Sequence, residues 1–106
     1  HNIDIPSHLS YNEIVENFDW NVEKNKKLQK ERGISFEQAV QAILSDDLIK
    51  AEKNPSKRHP NQLMYIIKIN NYCYIVPYIR EKDKIFLKTI IPSRKAAKKY
   101  IKNLSN

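Results

Sequence analysis

The sequence predicts an α+β domain, with helical periodicity in the first half of the chain and strand periodicity in the second. Three observations support this class. An apolar stripe with helical spacing runs through residues 36–44, three β-rich runs follow between residues 63 and 91, and a proline separates the last run from a lysine-rich segment. We therefore expect N-terminal helices, an antiparallel sheet of three to four strands, and a C-terminal basic helix.

The charge balance narrows the class of partner. The 106 residues suffice for one domain with its own core, and 41% of them are apolar. Nineteen Lys and Arg residues against twelve Asp and Glu residues give a net charge of +7. That charge favours RNA, DNA, an acidic membrane surface or an acidic protein as partner, and it does not choose among them.

Cysteine usage and hydropathy predict a cytoplasmic protein without a membrane partner. Cys73 is the only cysteine, so no intrachain disulfide is expected, and its apolar surroundings predict a small buried side chain. No stretch approaches the roughly 18 consecutive apolar residues of a membrane span, and the first residues lack a signal-like apolar region. The three histidines are scattered and form no ligand motif, so we expect no metal and no other cofactor.

The first 17 residues are predicted to form an arm ahead of a single domain over residues 18–106. Ser10, followed three residues later by Glu13, has the spacing of a capping box. This spacing predicts a short helix over Ser10–Phe18.

Two helices are predicted between residues 21 and 44. The first covers Asn21–Arg32, with Val22 and Leu28 as its apolar contacts, and Gly33 is predicted to be its left-handed C-cap. Ser35 begins a second capping box, three residues ahead of a glutamine. The helix that follows has an apolar stripe formed by Phe36, Ala39, Val40, Ile43 and Leu44.

The second half of the chain reads as strands. A first strand is predicted over Leu48–Glu52. The runs Leu63–Ile69 and Tyr72–Ile79 flank Asn70-Asn71, a pair that suits a type I′ hairpin turn. A third run, Ile85–Ile91, would complete an antiparallel meander.

Prolines mark two irregular places in this half. Residues 54–61 contain two prolines and two asparagines and are predicted to be an exposed loop. Pro77 falls inside the middle strand of the meander, where amide hydrogens are needed for pairing. We therefore expect a bulge or a free edge beside Pro77.

The last helix is predicted to begin at Ser93, directly after the third run. Its buried stripe would be Ala96, Ala97, Tyr100, Ile101 and Leu104. A helix N-terminus beside cations can hold a phosphate, and Arg94 follows the capping serine. We expect RNA contacts from Ser93, Lys95 and Lys98 and, on the first helix of the domain, from Lys24 and Lys27.

One face of the middle strand carries a tyrosine-rich row. Alternation places Tyr72, Tyr74, Val76, Tyr78 and Arg80 together, because successive side chains of a strand point to opposite faces. Amphipathic sheet positions explain Tyr72 and Tyr74, as they explain Tyr65 on the neighbouring run.

Near the strand end, Tyr78 and Arg80 would meet Lys88 of the next strand. This set suits metal-independent RNA cleavage, in which the 2′-hydroxyl attacks the adjacent phosphate. Arginine pairs with the phosphate oxygens, tyrosine can donate a proton, and a lysine acts as a base if its pKa is lowered. We predict that Arg80 and Arg94 share one cationic pocket.

Three short motifs follow one another along the chain. Phe18-Asp19-Trp20-Asn21 precedes the basic helix, Ile34-Ser35-Phe36-Glu37-Gln38-Ala39 follows its glycine, and Ile90-Ile91-Pro92-Ser93-Arg94-Lys95-Ala96 closes the last run. In this order they resemble BrnT-type toxins, small RelE-like ribonuclease toxins of bacterial type II toxin–antitoxin systems. The resemblance covers approximately residues 18–100.

The resemblance implies a RelE-like fold in which the helices pack on the antiparallel sheet. It also implies an endoribonuclease that cuts mRNA and blocks translation. A cognate antitoxin would neutralise it, and operator DNA would be bound only through the antitoxin complex. The resemblance carries over Arg80, Arg94 and Tyr78, which stands in place of a histidine, as catalytic candidates, and Lys88 is added on geometry.

Two alternatives remain open from the sequence. A non-catalytic basic module that binds nucleic acid explains the charge equally well. A protein-interaction subunit whose basic face meets an acidic partner also explains it.

Overall fold

The structure is a computed structural model that describes residues 17–53 and 62–101. The predicted loop at residues 54–61, nearly all of the predicted arm, and Leu104 of the last helical stripe lie outside these ranges. At its predicted C-terminal end, the short helix proposed for Ser10–Phe18 is wrong, because Phe18 lies in a strand.

The described residues form an α+β fold with three helices and a six-stranded mixed sheet. The helices are α1 (Val22–Arg32), α2 (Phe36–Ile43) and α3 (Arg94–Tyr100). The strands are β1 (Phe18–Asp19), β2 (Leu48–Lys53), β3 (Leu63–Ile69), β4 (Tyr72–Glu81), β5 (Lys84–Leu87) and β6 (Ile91–Pro92).

The ends of α1 and α2 follow the predicted local chemistry. Asn21 caps α1, its side-chain oxygen accepting the Lys24 amide at 2.9 Å. Gly33 ends α1 with φ at 68°, the left-handed conformation that glycine adopts without strain. Ser35 accepts the Gln38 amide at 3.1 Å, and the Gln38 side chain accepts the Ser35 amide in return. The predicted caps at Gly33 and Ser35 are therefore confirmed.

The buried face of α1 differs from the prediction. Leu28 is buried as expected, whereas Val22 is exposed. The polar Asn25 takes a buried place instead. Its oxygen accepts the Phe36 amide and its amide group donates to the Glu37 carboxylate, both at 2.7 Å. Asn25 can be buried because both ends of its side chain are satisfied, and it locks α1 to the start of α2.

The sheet contains more strands than predicted, and they are not all antiparallel. The order is β1-β5-β4-β3-β2, and β6 also pairs with β4. The meander of β3, β4 and β5 is antiparallel as expected, and β2 adds antiparallel to β3. The two-residue β1 adds parallel to β5, with Phe18 opposite Ile85. So short a strand carries no periodicity that would reveal it in the sequence.

The hairpin turn between β3 and β4 is confirmed. Asn70 and Asn71 have φ values of 52° and 61°, and positive φ at both central residues is what a type I′ turn requires. The register runs without interruption from Ile69 opposite Tyr72 to Leu63 opposite Tyr78.

Pro77 breaks the third β-run, which was predicted as one strand over Ile85–Ile91. The Pro77 carbonyl accepts the Lys88 amide at 2.8 Å, so its main-chain groups face β5 rather than β3. In an antiparallel pair, the N–H and C=O groups of one residue point toward the same neighbouring strand. Pro77 has no N–H, so it can accept a hydrogen bond from the β5 side but cannot donate one. Pairing with β4 therefore stops after β5 and resumes in β6. Tyr78 is opposite Leu87 and Ile75 is opposite Ile91, so the third run carries one extra residue relative to β4 across this gap, which is the expected bulge.

The helices cover the two faces of the sheet separately. On one face, which we call the α1–α2 face, the core is formed by Leu28, Phe36, Ala39, Val40, Ile43, Tyr65, Ile67, Val76, Tyr78 and Leu87. On the other face, the α3 face, α3 packs through Ala96, Ala97 and Ile101 against Ile66 and Cys73. The buried Cys73 and the predicted stripe of α3 are confirmed within the described residues. None of the helices described is long and apolar enough to cross a membrane.

Candidate functional site

The predicted tyrosine and arginine on β4 lie on the α1–α2 face. Tyr78 is buried and stacks on Tyr65, with ring centroids 4.1 Å apart and planes at 14°. Burial raises the pKa of Tyr65, the neighbouring Tyr78 adds to this, and Arg80 acts in the opposite direction. Arg80 is thus close enough to influence the stack, while its own side chain is exposed at the end of β4.

Lys88 is linked to the main chain of Tyr78 through the side chain of Gln62. Its ammonium group donates to the Gln62 side-chain oxygen at 3.1 Å. The Gln62 amide group in turn donates to the Tyr78 carbonyl at 2.7 Å. Lys88 is therefore held beside β4 by a neutral side chain, and the contact is with the Tyr78 backbone rather than its hydroxyl.

The residues at the start of α3 lie elsewhere. Ser93 caps α3, its hydroxyl oxygen accepting the Ala96 amide at 3.1 Å, and its own amide donates to the Cys73 carbonyl. Arg94, Lys95 and Lys98 are exposed on this helix. The cap is confirmed, and the hydroxyl of Ser93 is used in making it.

The structure does not form the single pocket predicted for Arg80 and Arg94. The segment leading into Arg94 meets β4 at Cys73, seven residues before Arg80, and a strand of that length spans about 23 Å. Arg80 lies on the α1–α2 face, whereas α3 packs on the opposite face. The prediction of a shared pocket is wrong because alternation along β4 sends Arg80 to the face away from α3.

A different cluster of cations surrounds a small cleft beside α1, which we call the α1 cleft. It has a volume of about 140 Å³ and is lined by Lys24, Lys27, Leu28, Glu31, Arg32 and Thr89. The two lysines predicted to contact RNA are thus brought together with a third cation.

One hydrogen bond defines the wall of the α1 cleft. The Arg32 guanidinium donates to the Ile90 carbonyl at 2.8 Å and so holds the last turn of α1 against the segment between β5 and β6. Thr89 enters the cleft lining next to this contact. A guanidinium has five N–H donors, so one bond to Ile90 leaves others for an anion.

The electrostatics of the α1 cleft favour an anionic ligand. α1 carries five basic and two acidic side chains, and Arg32 and Lys30 lie in its last turn. Lys24, Lys27 and Arg32 supply three cations to the cleft, and Glu31 supplies a carboxylate. Cations that converge on one hollow with a neighbouring proton acceptor suit a phosphodiester.

Sequence reasoning missed Glu31, Arg32 and Thr89 as site residues. A signal for the first was present, because residues 24, 27, 28 and 31 have the spacing that places side chains on one stripe of a helix. No such signal exists for Thr89, which is far along the chain and reaches α1 only through the folded sheet.

Comparisons of the chain with protein-family models, with curated proteins and with solved structures found no match.

Proposed function

We propose that this protein is a metal-independent endoribonuclease that acts as the toxin of a bacterial toxin–antitoxin pair. The observation that carries the proposal is the α1 cleft, where Lys24, Lys27 and Arg32 converge beside Glu31 and Thr89. The net charge of +7 supports an RNA substrate, since a polyanion is attracted to the whole surface as well as to the cleft.

The proposed reaction is attack of the 2′-hydroxyl on the adjacent phosphorus. Glu31 accepts the hydroxyl proton, and Arg32 with Lys24 stabilises the negative charge of the pentavalent phosphorane. Lys27 donates a proton to the leaving 5′-oxygen, which gives a 2′,3′-cyclic phosphate and a free 5′-hydroxyl. Each role is supported by the chemistry of the side chain and by its place in the cleft lining.

The other predicted cations fit a role outside the reacting centre. Arg80, Arg94, Lys95 and Lys98 are exposed, and no shared hollow joins Arg80 to Arg94. We propose that Arg80, which lies on the α1–α2 face with the cleft, binds a more distant phosphate of the RNA, whereas Arg94, Lys95 and Lys98 on the α3 face lie away from the cleaved bond. In this reading Tyr78 supports Arg80 from the core, and Lys88 is a surface cation held by Gln62.

The motif resemblance supports the fold more directly than the chemistry. Phe18 and Phe36 are core residues, Gly33 and Ser35 cap helices, and Trp20 stacks on Phe36 at 5.7 Å. These residues have structural roles in this chain. The proposal of a toxin therefore depends on the α1 cleft for its chemistry and on the motif order for its biological setting.

The proposed partners follow from the same reading. The substrate is RNA, with mRNA as the target in the cell, and a cognate antitoxin would neutralise the toxin in the cytoplasm. Operator DNA would be bound only by the toxin–antitoxin complex. The reaction as written uses side chains alone, so no cofactor enters the proposal.

The direct test is RNA cleavage in the presence of EDTA by the purified protein and by matched variants. Glu31→Gln and Arg32→Gln should each lower the cleavage rate by about 100-fold, the size expected for loss of a catalytic base or of an anion-stabilising group. Lys26→Ala is the control, because Lys26 is an exposed α1 cation paired with Glu23 and absent from the cleft lining. Cleavage that survives both cleft variants would contradict the site.

A second test addresses the biological setting. Expression in bacteria should arrest growth, and Glu31→Gln should relieve the arrest while the protein stays folded. Normal growth with well-folded wild-type protein would count against a toxin.

A non-catalytic RNA-binding module is the second candidate. It is favoured by the separation of Arg80 from Arg94, which spreads cations over two faces as a binding surface would. Salt-sensitive RNA binding without any cleavage products in EDTA would support this candidate over the nuclease.

A further inference from the structure

An apolar patch is left uncovered on the α3 face of the sheet. In the described part of the chain, the large apolar side chains that stand out as exposed are Val22 (61%), Ile79 (41%) and Ile91 (44%). Ile79 lies on the α3 face, because it follows the buried Cys73 at an even spacing along β4. Ile91 lies on the same face, because it sits directly opposite Ile75.

The patch extends across neighbouring strands. Phe86 of β5 is directly opposite Ile79, and Pro77 lies between Ile75 and Ile79 on β4. Phe86 and Pro77 are both partly exposed. We call Pro77, Ile79, Phe86 and Ile91 the α3-face patch. Clustered apolar side chains of this kind mark interaction surfaces more often than single exposed ones do.

α3 covers only the neighbouring part of this face. Its buried residues Ala96 and Ala97 pack against Ile66 and Cys73, toward the β3–β4 turn. The patch lies further along β4, in the direction of Glu81. Because the patch lies beside the basic helix α3, a bound partner would contact apolar side chains in the middle and positively charged side chains at the edge.

Docking onto the patch is favoured over addition of a strand to β6. The Ser93 amide donates to the Cys73 carbonyl, so the main-chain N–H and C=O groups of Ser93 point toward β4. Main-chain groups of successive strand residues point to opposite sides, so those of Pro92 point away from β4. Proline has no amide hydrogen, so this outward position of β6 cannot donate to an added strand. A partner at this edge is therefore held mainly by side-chain contacts.

The paired Glu81 and Lys84 border the patch at the end of β4, and the other charges around it are positive, so the surroundings as a whole favour an acidic partner. Lys88 lies beside Pro77, to which its amide is bonded, and Arg94 opens α3 three residues after Ile91. α3 carries Arg94, Lys95, Lys98 and Lys99 without any acidic side chain. A second copy of this chain is disfavoured, because both copies would carry a net charge of +7.

We propose that the α3-face patch binds an acidic, amphipathic segment of a partner protein, with the apolar side chains of that segment on Ile79, Phe86 and Ile91. The proposal concerns binding and does not rest on nuclease activity. The α1 cleft lies on the opposite side of the sheet core, so failure of the nuclease proposal would leave this one intact, and the reverse also holds.

The test uses a synthetic helical peptide of about four turns, with leucines along one stripe and glutamates elsewhere. Binding to the full chain is measured by fluorescence anisotropy, and amide chemical shifts locate it. We expect saturable binding, with the largest shifts at Ile79, Phe86 and Ile91. A scrambled peptide of the same composition should bind at least tenfold more weakly, since its leucines do not share a face.

Matched variants separate the patch from general charge attraction. Ile79→Thr combined with Ile91→Thr should weaken peptide binding about tenfold or more, and threonine is tolerated in strands, so the fold should persist. Val22→Thr is the control, because Val22 is more exposed than either isoleucine but starts α1. Its binding should match that of the wild type.

Five outcomes would overturn the proposal. The peptide shifts could cluster on α1, the scrambled peptide could bind equally well, or Val22→Thr could weaken binding as much as the double variant does. Concentration-dependent self-association that the double variant abolishes would assign the patch to a second copy, and RNA shifts centred on Ile79 would assign it to nucleic acid. Because the shift map uses the unmodified protein, the test holds even if the double variant does not fold.

Discussion

The Arg32 side chain donates a 2.8 Å hydrogen bond to the main-chain oxygen of Ile90, 58 residues further along the chain. Arg32 ends α1, and Ile90 is a fully buried residue between β5 and β6. One contact thus joins the first helix of the fold to the segment that leads into the last. It also fixes the guanidinium at the border of the α1 cleft.

Replacement of Arg32 should affect stability and RNA binding together. Arg32→Gln should lower the free energy of unfolding by about 1 kcal/mol, because a partly exposed bond from a charged donor is lost. Arg32→Lys keeps the charge but not the planar fork, so it should recover more RNA affinity than stability. Urea unfolding and RNA anisotropy measure the two effects. An unchanged unfolding midpoint for Arg32→Gln would show that the bond to Ile90 does not form in solution.

Lys24 and Lys27 should each contribute to the salt dependence of RNA binding. For single-stranded RNA, the slope of log K against log salt should fall by about 0.7 for each phosphate contact removed. Lys24→Ala and Lys27→Ala should therefore each reduce it, whereas Lys26→Ala should reduce it less. Titrations at several salt concentrations give the slopes. Equal slopes for all three variants would mean that the α1 cleft is not the contact site.

Gly33 should be sensitive to substitution for conformational rather than steric reasons. Its φ is 68°, and a Cβ built there would meet no atom within 4 Å. Gly33→Ala should lower the free energy of unfolding by about 1–2 kcal/mol, because a residue with a Cβ resists the left-handed region. Gly33→Val should lower it further, and Gly33→Asn should lower it least. Thermal or urea unfolding of the three variants would reveal this order.

Asn25 should be among the most sensitive polar residues. It is buried, and its side chain bonds to both Phe36 and Glu37. Asn25→Ala would leave the Phe36 amide without a partner and should lower the free energy of unfolding by about 1–3 kcal/mol. Asn25→Asp keeps the acceptor for the Phe36 amide but sets a carboxylate against that of Glu37, so it should also be destabilising. A mild effect of Asn25→Ala at neutral pH would contradict this role.

Stability should fall at alkaline pH because of Tyr65. Burial raises the pKa of the folded Tyr65 above the unfolded value of about 10. The stabilisation is fully present below about pH 10 and is lost as the pH rises toward the folded pKa, because the unfolded chain releases the proton first. Tyr65→Phe removes this contribution while keeping the ring. The difference in the free energy of unfolding between the wild type and Tyr65→Phe should therefore change as the pH rises above about 10. An equal loss of stability in both proteins would exclude Tyr65 as the cause.

Local chemistry explains which elements were predictable. The caps at Gly33 and Ser35, the stripe of α2 and the Asn70-Asn71 turn depend on residues within a few positions of one another. Each was predicted and is confirmed, because the hydrogen bonds and φ values involved depend on neighbouring residues alone. The prediction that Val22 is a core residue is wrong, because the buried residues of α1 are Asn25 and Leu28, which lie further along the helix.

The site was predicted less well because it is built across long sequence separations. Alternation correctly placed Tyr78 with Arg80, but it could not show that α3 would pack on the other face. The gap at Pro77 divides the third β-run and lets the segment around Thr89 turn toward α1. That path determines which cations become neighbours.

The sequence by itself determined the helix caps at Gly33, Ser35 and Ser93, the hairpin, the excess of positive charge and the residue types available for binding a phosphate, since these depend on local geometry and composition. Only the tertiary structure decided that Lys24, Lys27 and Arg32 meet while Arg80 and Arg94 do not. The physical reason is that a sheet has two faces, and the positions of the helices on them are set by which apolar side chains are buried together.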